Sequence, residues 1–178
     1  MAAIDLIVLG ILKKEPASAY EIQKLVEYRN ISRWVKISTP SIYKKVLQLE
    51  EKGYISGSPV REGRMAEKAV YTLTEAGRDK FEALMLEIAR GPVHLFLDLN
   101  AVIVNLDQLT PEKRALCLEN IGRGVRTLRE QVEENLDAKK DLPGIPGTGL
   151  AVLRQQLALA EAIETWLDGL DRPGGGLI

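Results

Sequence analysis

The stretch from Ser38 to Ile55, STPSIYKKVLQLEEKGYI, restricts the fold of this chain more than any other feature. Thr39-Pro40 predicts a helix start, because a threonine hydroxyl can accept from a backbone N–H and proline suits the first helical position. The helix should extend to Gly53. Its apolar residues recur at intervals of four and three, at Ile42, Val46 and Leu49. This spacing predicts one buried stripe.

The opposite face of the same helix carries Ser41, Lys44 and Gln48, with no acidic residue before Glu50 and Glu51. Such a cationic, hydrogen-bonding face suits the phosphates and base edges of DNA. An ordinary amphipathic helix with a solvated lysine face would have the same composition. The choice between the two depends on the neighbouring elements.

Charge is unevenly distributed along the chain. The 178 residues have a net charge of −1, which neither favours nor excludes a polyanionic partner. Residues 28–68, however, carry nine basic and four acidic side chains. The positive charge therefore gathers around the helix described above.

Composition indicates a soluble globular protein of the cytoplasm, with 46% hydrophobic and 28% charged residues. Cys117 is the only cysteine, so no internal disulfide is possible, and its apolar setting predicts a packed thiol. The N-terminus has Asp5 inside its apolar run and does not resemble a signal peptide. The most apolar stretch, 93–106, is too short to span a bilayer.

The first ninety residues predict four helices and a hairpin. An amphipathic helix over 4–12 is followed by a capping box, Ser18 to Glu21, which starts a second helix. After the helix around Lys44 come a strand over 55–60, a polar basic loop, and a strand over 69–73. Thr74 should cap a fourth helix over 75–89 whose inward face is Phe81, Leu84, Met85 and Ile88.

Gly91-Pro92 is the predicted boundary, with domains over 1–90 and 91–172 and a disordered tail over 173–178. The second domain should be helical throughout: 93–106, a long helix after Thr110-Pro111, and a last helix after the loop over 141–149. The predicted fold is mainly α with a small β-hairpin, an N-terminal winged helix-turn-helix domain followed by a C-terminal α-helical dimerisation domain. Two apolar seams, in steps of three and four, suit a helix pair or a dimer. The residues predicted for dimerisation are Ile121, Val125, Leu128, Val132, Leu153, Leu157, Ile163 and Trp166.

Three helices, a basic hairpin and a closing helix follow in the order of a winged helix-turn-helix domain. In that domain the third helix enters the major groove and the wing loop reaches phosphates or the adjacent minor groove. Order and charge together predict binding to double-stranded DNA. Tyr43 would either contact a phosphate or pack on Leu47. Phosphate contacts are predicted at Lys44 and Lys45, and base contacts at Ser41 and Gln48.

Three motifs also resemble one known family over residues 1–78: LIVLGILKKEPASAYEI, SIYKKVLQLEEKGYI and AVYTLTEAG. The chain is similar to the PadR family of bacterial transcription regulators. The resemblance implies a homodimeric repressor whose third helix and wing bind operator DNA, often relieved by a small aromatic molecule. The chain departs from the family at Ala19, where glycine is common, and at Lys44, where proline is common. Carried over by position, the DNA contacts are Ser41, Tyr43, Lys44 and Gln48, with Arg64 and Lys68 on the wing.

An apolar effector site near Trp34 or Phe96 is a further hypothesis, since Trp34 lies just before the predicted recognition helix. Simple packing on the core is the favoured interpretation of Trp34, which could also meet a partner chain. Arg64 could be a solvated wing tip.

An enzyme is not expected, because the chain has no phosphate loop, nucleophile elbow or zinc spacing, and no cofactor is predicted. His94, the only histidine, has no partners at metal-ligand spacing. A winged-helix module that binds protein and no DNA is the alternative function.

Overall fold

The computed structural model describes residues 2–61, 68–143 and 145–170 of the chain. The described residues form two compact units, which divide between Val93 and His94. The chain is mainly helical with a small antiparallel sheet, so the predicted fold class is confirmed. We call residues 2–93 the N-terminal unit and residues 94–170 the C-terminal unit.

The N-terminal unit has four helices and three short strands. A 3₁₀ turn, Ile31–Arg33, lies between the second and third helices. In chain order the elements are α1 (Ala2–Leu12), β1 (Ala17–Ser18), α2 (Ala19–Tyr28), α3 (Ser41–Glu51), β2 (Ile55–Val60), β3 (Lys68–Leu73) and α4 (Glu75–Arg90).

The predicted side-chain caps at Ser18 and at Thr74 are confirmed. The Glu21 carboxylate accepts from the Ser18 backbone N–H at 2.7 Å, while the Ser18 hydroxyl accepts from the Glu21 N–H at 3.3 Å. At the start of α4 the Thr74 hydroxyl accepts from the Gly77 N–H at 3.0 Å. Each bond satisfies a donor that the first turn of a helix leaves unpaired.

The predicted cap at Thr39 is wrong. The helix begins one residue after Pro40, and no side chain caps it. Backbone carbonyls satisfy the first donors instead: the Ser41 N–H donates to Ser38 O at 3.0 Å, and the Ile42 N–H donates to Thr39 O at 3.1 Å. Because residues 38–41 already form a turn, the threonine hydroxyl is not needed as a cap.

The sheet has the strand order β1-β3-β2, with both pairs antiparallel. Tyr71 pairs with Ala17 on one side and with Gly57 on the other. The sequence did not predict β1, because two residues are too few to show an alternating pattern. The two predicted strands of the hairpin are confirmed.

One core lies beneath all the elements of the N-terminal unit. The fully buried residues of α3, Ile42, Val46 and Leu49, form the predicted stripe. The predicted inward face of α4 is only partly right. Leu84 is buried, but Met85 and Ile88 are 50% and 42% exposed.

The sequence predicts one helix over 93–106, and this prediction is wrong. Residues 92–97 are irregular, and helix α5 covers only Leu99–Ile103 before a 3₁₀ turn at Leu106–Gln108. The Asn105 amide donates to the Ala101 carbonyl at 2.8 Å, which competes with continuation of the helix. Val93 and Phe96 are 90% and 87% exposed.

The C-terminal unit is built on two long helices, α6 (Pro111–Lys139) and α7 (Gly147–Leu170). Val125 near the middle of α6 packs with Leu167 and Leu170 at the end of α7. Arg129 Nε lies 3.0 Å from Glu164 Oε2, which joins the two helices by an ion pair. These contacts and the short connection show an antiparallel helix pair.

The helix pair uses part of the predicted dimerisation seam within one chain. Val125 and Val132 are 6% and 9% exposed within one chain, which argues against contact with a partner chain at these two predicted positions. Leu128 and Trp166 remain 43% and 41% exposed. The others, Ile121, Leu153, Leu157 and Ile163, are half-buried.

Across the described ranges, none of the helices combines the length and the apolar character that crossing a membrane requires.

Candidate nucleic-acid interface

Helix α3 presents a polar face outward because its buried stripe fixes the rotation of the helix. Tyr43 is 60% exposed, and Lys44 beside it is also exposed. Ser41 and Gln48 are half-buried on the same helix, and the Ser41 hydroxyl donates to the Ser38 carbonyl at 2.6 Å. Four of the predicted DNA contacts therefore lie on α3, where they provide one cation and three other hydrogen-bonding groups.

Tyr43 was predicted either to contact a phosphate or to pack on Leu47. Leu47 is itself 44% exposed, so the two side chains do not bury each other. The ring and the leucine side chain are therefore both available to a partner surface. An exposed apolar side chain of this kind can contact a thymine methyl group in the major groove.

Lys45 is not part of this face. Its ammonium Nζ lies 2.8 Å from Asp5 Oδ1 on α1, and the two side chains are only 12% and 18% exposed. Position 45 follows position 44 by about 100° around the helix, which turns it towards α1. The ion pair argues against the predicted phosphate contact at Lys45 and makes this lysine a link between α1 and α3.

The strands β2 and β3, which we call the wing strands, lie next to α3 in the chain. Lys68 begins β3, and its ammonium lies 3.1 Å from Glu21 Oε1 on α2. A phosphate at Lys68 would therefore compete with the Glu21 carboxylate. Arg64 lies outside the described residues.

The Glu21 carboxylate has a pKa of about 2, well below the usual 4.5. The backbone N–H of Ser18 lowers this pKa most, followed by the Ser18 hydroxyl and then Lys68. Glu21 therefore keeps its negative charge above about pH 3 and holds the start of β3 against α2.

Tyr71 is a residue of the wing strand β3, and its side chain is 4% exposed. Burial raises the pKa of its phenol most, and the negative charge of the Glu50 carboxylate raises it further. Tyr71 therefore stays neutral, and its ring is part of the core beneath α3 and β2.

Three further exposed residues of the N-terminal unit, Arg61, Tyr20 and Lys24, were not predicted as DNA contacts. Arg61, directly after β2, is exposed, and the only sequence signal for it was the excess of basic residues over 28–68. On α2, Tyr20 is 67% exposed with Lys24 Nζ 5.6 Å from its ring centroid. A tyrosine hydroxyl and an ammonium on the exposed side of α2 are groups that can contact a DNA backbone.

The two residues of the effector hypothesis lie in different units. Trp34 is half-buried and packs against the core of the N-terminal unit. Phe96 is exposed and stacks on His94 with ring centroids 5.9 Å apart. The packing explanation for Trp34 agrees with this placement.

The C-terminal unit contains an apolar cavity of about 330 Å³. Asn100 is its polar member, and Trp166 is its aromatic member. Leu95, Leu97, Leu159, Ala162 and Ile163 complete the lining. Neither Trp34 nor Phe96 contributes to these walls.

No group of three or more histidine, cysteine or carboxylate side chains that could hold a metal ion occurs in the part of the chain that the structure describes.

Comparison with family models matches residues 8–83 to the Transcriptional regulator PadR-like family. No curated protein sequence matches the chain.

Solved structures share the fold over nearly the whole chain. Bacillus subtilis PadR in complex with operator DNA is 18% identical with a TM-score of 0.81, covering 96% of this chain and 97% of that chain. The same protein in complex with p-coumaric acid is 17% identical with a TM-score of 0.77, covering 94% and 95%. The PadR-like regulator BC1756 from Bacillus cereus is 20% identical with a TM-score of 0.71, covering 93% of each chain.

Proposed function

We propose that this chain, whose residues 8–83 match the PadR-like family of transcriptional regulators, binds operator DNA and controls transcription. The observation that carries the proposal is the outward face of α3, where exposed Lys44 and Tyr43 lie between the half-buried Ser41 and Gln48. The family match and the likeness to an operator complex support it. No catalytic role or cofactor is proposed, and the place of action would be the cytoplasm.

In this proposal α3 enters the major groove. Gln48 and Ser41 read base edges, since both groups donate and accept hydrogen bonds. Lys44 and the Tyr43 hydroxyl contact phosphates, which raises affinity for any sequence and makes binding depend on salt. Lys45 is excluded because Asp5 holds it.

The wing contributes a second set of contacts. Arg61 and Lys68 lie at the two strand ends that face the wing loop, so both can approach a phosphate. Arg64 stays a prediction from the sequence. The wing would reach beside the groove that α3 occupies, as in other winged helix-turn-helix proteins.

The C-terminal unit would join two copies of the chain. A dimer places two α3 helices about one helical turn apart, roughly 34 Å, on a near-palindromic operator. Leu128 and Trp166 are the exposed members of the predicted dimerisation set. Sedimentation at micromolar concentration should give the mass of two chains, and Leu128→Glu should lower it towards one chain, whereas Thr127→Glu beside it should not.

A small aromatic effector that releases DNA completes the proposed repressor. The solved complex of Bacillus subtilis PadR with p-coumaric acid supports a ligand of this class. The cavity at Trp166 is a better candidate for the effector site than the surroundings of Trp34, because Trp34 packs against the core of the N-terminal unit. Quenching of Trp166 fluorescence by p-coumaric acid, measured in a Trp34→Phe variant, would test it.

DNA binding itself is tested by a mobility shift with the fragment upstream of the protein's own gene. Lys44→Ala should weaken binding several-fold at low salt, while Arg90→Ala, which removes the same charge at the end of α4, should change it little. A wild-type dimer that shifts no fragment at low salt would instead support a winged-helix module that binds protein.

A further inference from the structure

The end of α3 is tied to the wing by one hydrogen bond. The Glu50 carboxylate Oε1 accepts from the Gly57 backbone N–H of β2 at 2.9 Å. In the sheet Gly57 pairs with Tyr71, and among the described residues β2 pairs with β3 alone. The Gly57 N–H points away from β3, so Glu50 satisfies a donor that the sheet does not.

The approach at Gly57 is too close for any side chain. A Cβ atom there would lie 2.6 Å from Glu50 Oε1 and 2.9 Å from Cε1 of the Tyr71 ring. Tyr71 is buried, so its ring cannot move away without disturbing the core. A glycine is needed here because α3, β2 and the ring of β3 meet at one point.

We propose that Glu50 is a positioning residue for DNA recognition, whose hydrogen bond to Gly57 holds the wing strands at a fixed distance from the outward face of α3. The inference rests on the proposed function, since the two elements must reach the same duplex. Without the bond, α3 and the wing would bind as two loosely joined surfaces. Part of the binding free energy would then be spent on ordering the wing.

Adjacent residues provide a matched comparison. Glu50 and Glu51 both lie at the end of α3, Glu51 is exposed, and each carries one negative charge. Removing an acidic residue near DNA should by itself strengthen binding or leave it unchanged, because phosphate repulsion falls. Glu50→Ala should do the opposite and weaken binding, so the two substitutions are expected to differ in sign.

The first measurement uses the full-length protein without DNA. Loss of a hydrogen bond to a charged group should speed amide hydrogen exchange at Gly57 by roughly 10- to 100-fold in Glu50→Ala. Glu51→Ala should exchange as the wild type does. Glu50→Gln keeps an acceptor oxygen and should restore most of the protection, which separates loss of the bond from a general loss of fold.

The second measurement is affinity and hydroxyl-radical footprinting on the upstream DNA fragment. Glu50→Ala should bind about 3- to 10-fold more weakly, by partial loss of a bond of this class, and should lose protection at the outer flanks before the centre. Glu51→Ala should keep the wild-type footprint. Equal affinity and footprints for both alanine variants, or unchanged exchange at Gly57, would overturn the inference. Wild-type protein that binds no DNA but shows the predicted exchange would overturn the proposed function and leave only the structural bond.

Discussion

Replacing Lys45 by methionine should destabilise the N-terminal unit strongly, although the side chain keeps its apolar length. Lys45 Nζ and Asp5 Oδ1 are 2.8 Å apart, and at an effective dielectric constant of about 20 two unit charges at that distance attract by about 6 kcal/mol. Desolvation of two side chains that are 12% and 18% exposed offsets much of this attraction. Removing the lysine leaves the carboxylate buried without its partner. We therefore expect the free energy of unfolding to fall by about 2–4 kcal/mol.

Urea unfolding of the N-terminal unit can measure this loss. Trp34 packs on the core of that unit, so its fluorescence in a Trp166→Phe background reports on unfolding of the N-terminal unit. With a slope of roughly 2 kcal/mol per molar urea, the midpoint should fall by about 1–2 M. Lys44→Met, one residue away and exposed, should shift it by less than about 0.3 M.

A double substitution tests the cause. Asp5→Asn combined with Lys45→Met removes both charges and should recover at least half of the lost stability, because no unpaired charge stays buried. Equal urea midpoints for Lys45→Met and Lys44→Met would contradict the ion-pair explanation. So would a double variant whose loss of stability equals the sum of the losses in the two single variants.

Three further predictions concern binding, acid stability and packing. Lys44→Ala should reduce the slope of log K against log salt concentration by about 0.9 in anisotropy titrations, since one phosphate contact is lost. Glu21→Gln should cost about 1 kcal/mol at pH 7, a value reduced for the 48% exposure of the carboxylate. Because the folded pKa is about 2 against 4.5, this difference is complete above pH 4.5 and disappears as the pH falls towards 2 in urea titrations. Gly77→Ala should lower stability by about 2–3 kcal/mol, because the new Cβ would lie 2.0 Å from the Tyr54 carbonyl oxygen, whereas Gly124→Ala meets nothing within 4 Å and should raise the melting temperature slightly.

Sequence spacing predicts the local features of the N-terminal unit well. The capping box at Ser18 and Glu21, the Thr74 cap and the two wing strands depend on residues close together in the chain. Helical periodicity also identified the buried stripe of α3. Such signals need no knowledge of distant partners.

Features that depend on distant residues were not predictable. Lys44 and Lys45 look alike in the sequence, and only the position of Asp5 on α1 separates an exposed lysine from a paired one. In the same way the spacing of Val125 and Val132 indicated an apolar seam, but it could not show that Leu167 and Leu170 of the same chain would pack against Val125. Residues 93–106 have the apolar content of a helix, yet the Asn105 side chain ends α5 after five residues.

The outer side of β2 has a consequence for solubility. A strand with one free side can recruit another chain and start aggregation. Here the Gly57 N–H already donates to Glu50. Pro59 lies two residues further along β2 and faces the same side, and a proline has no backbone N–H. A second strand approaching this side would therefore find no available N–H at residues 57 and 59. Substitution of Pro59 together with Glu50 would therefore open the wing to chain-to-chain association at high protein concentration.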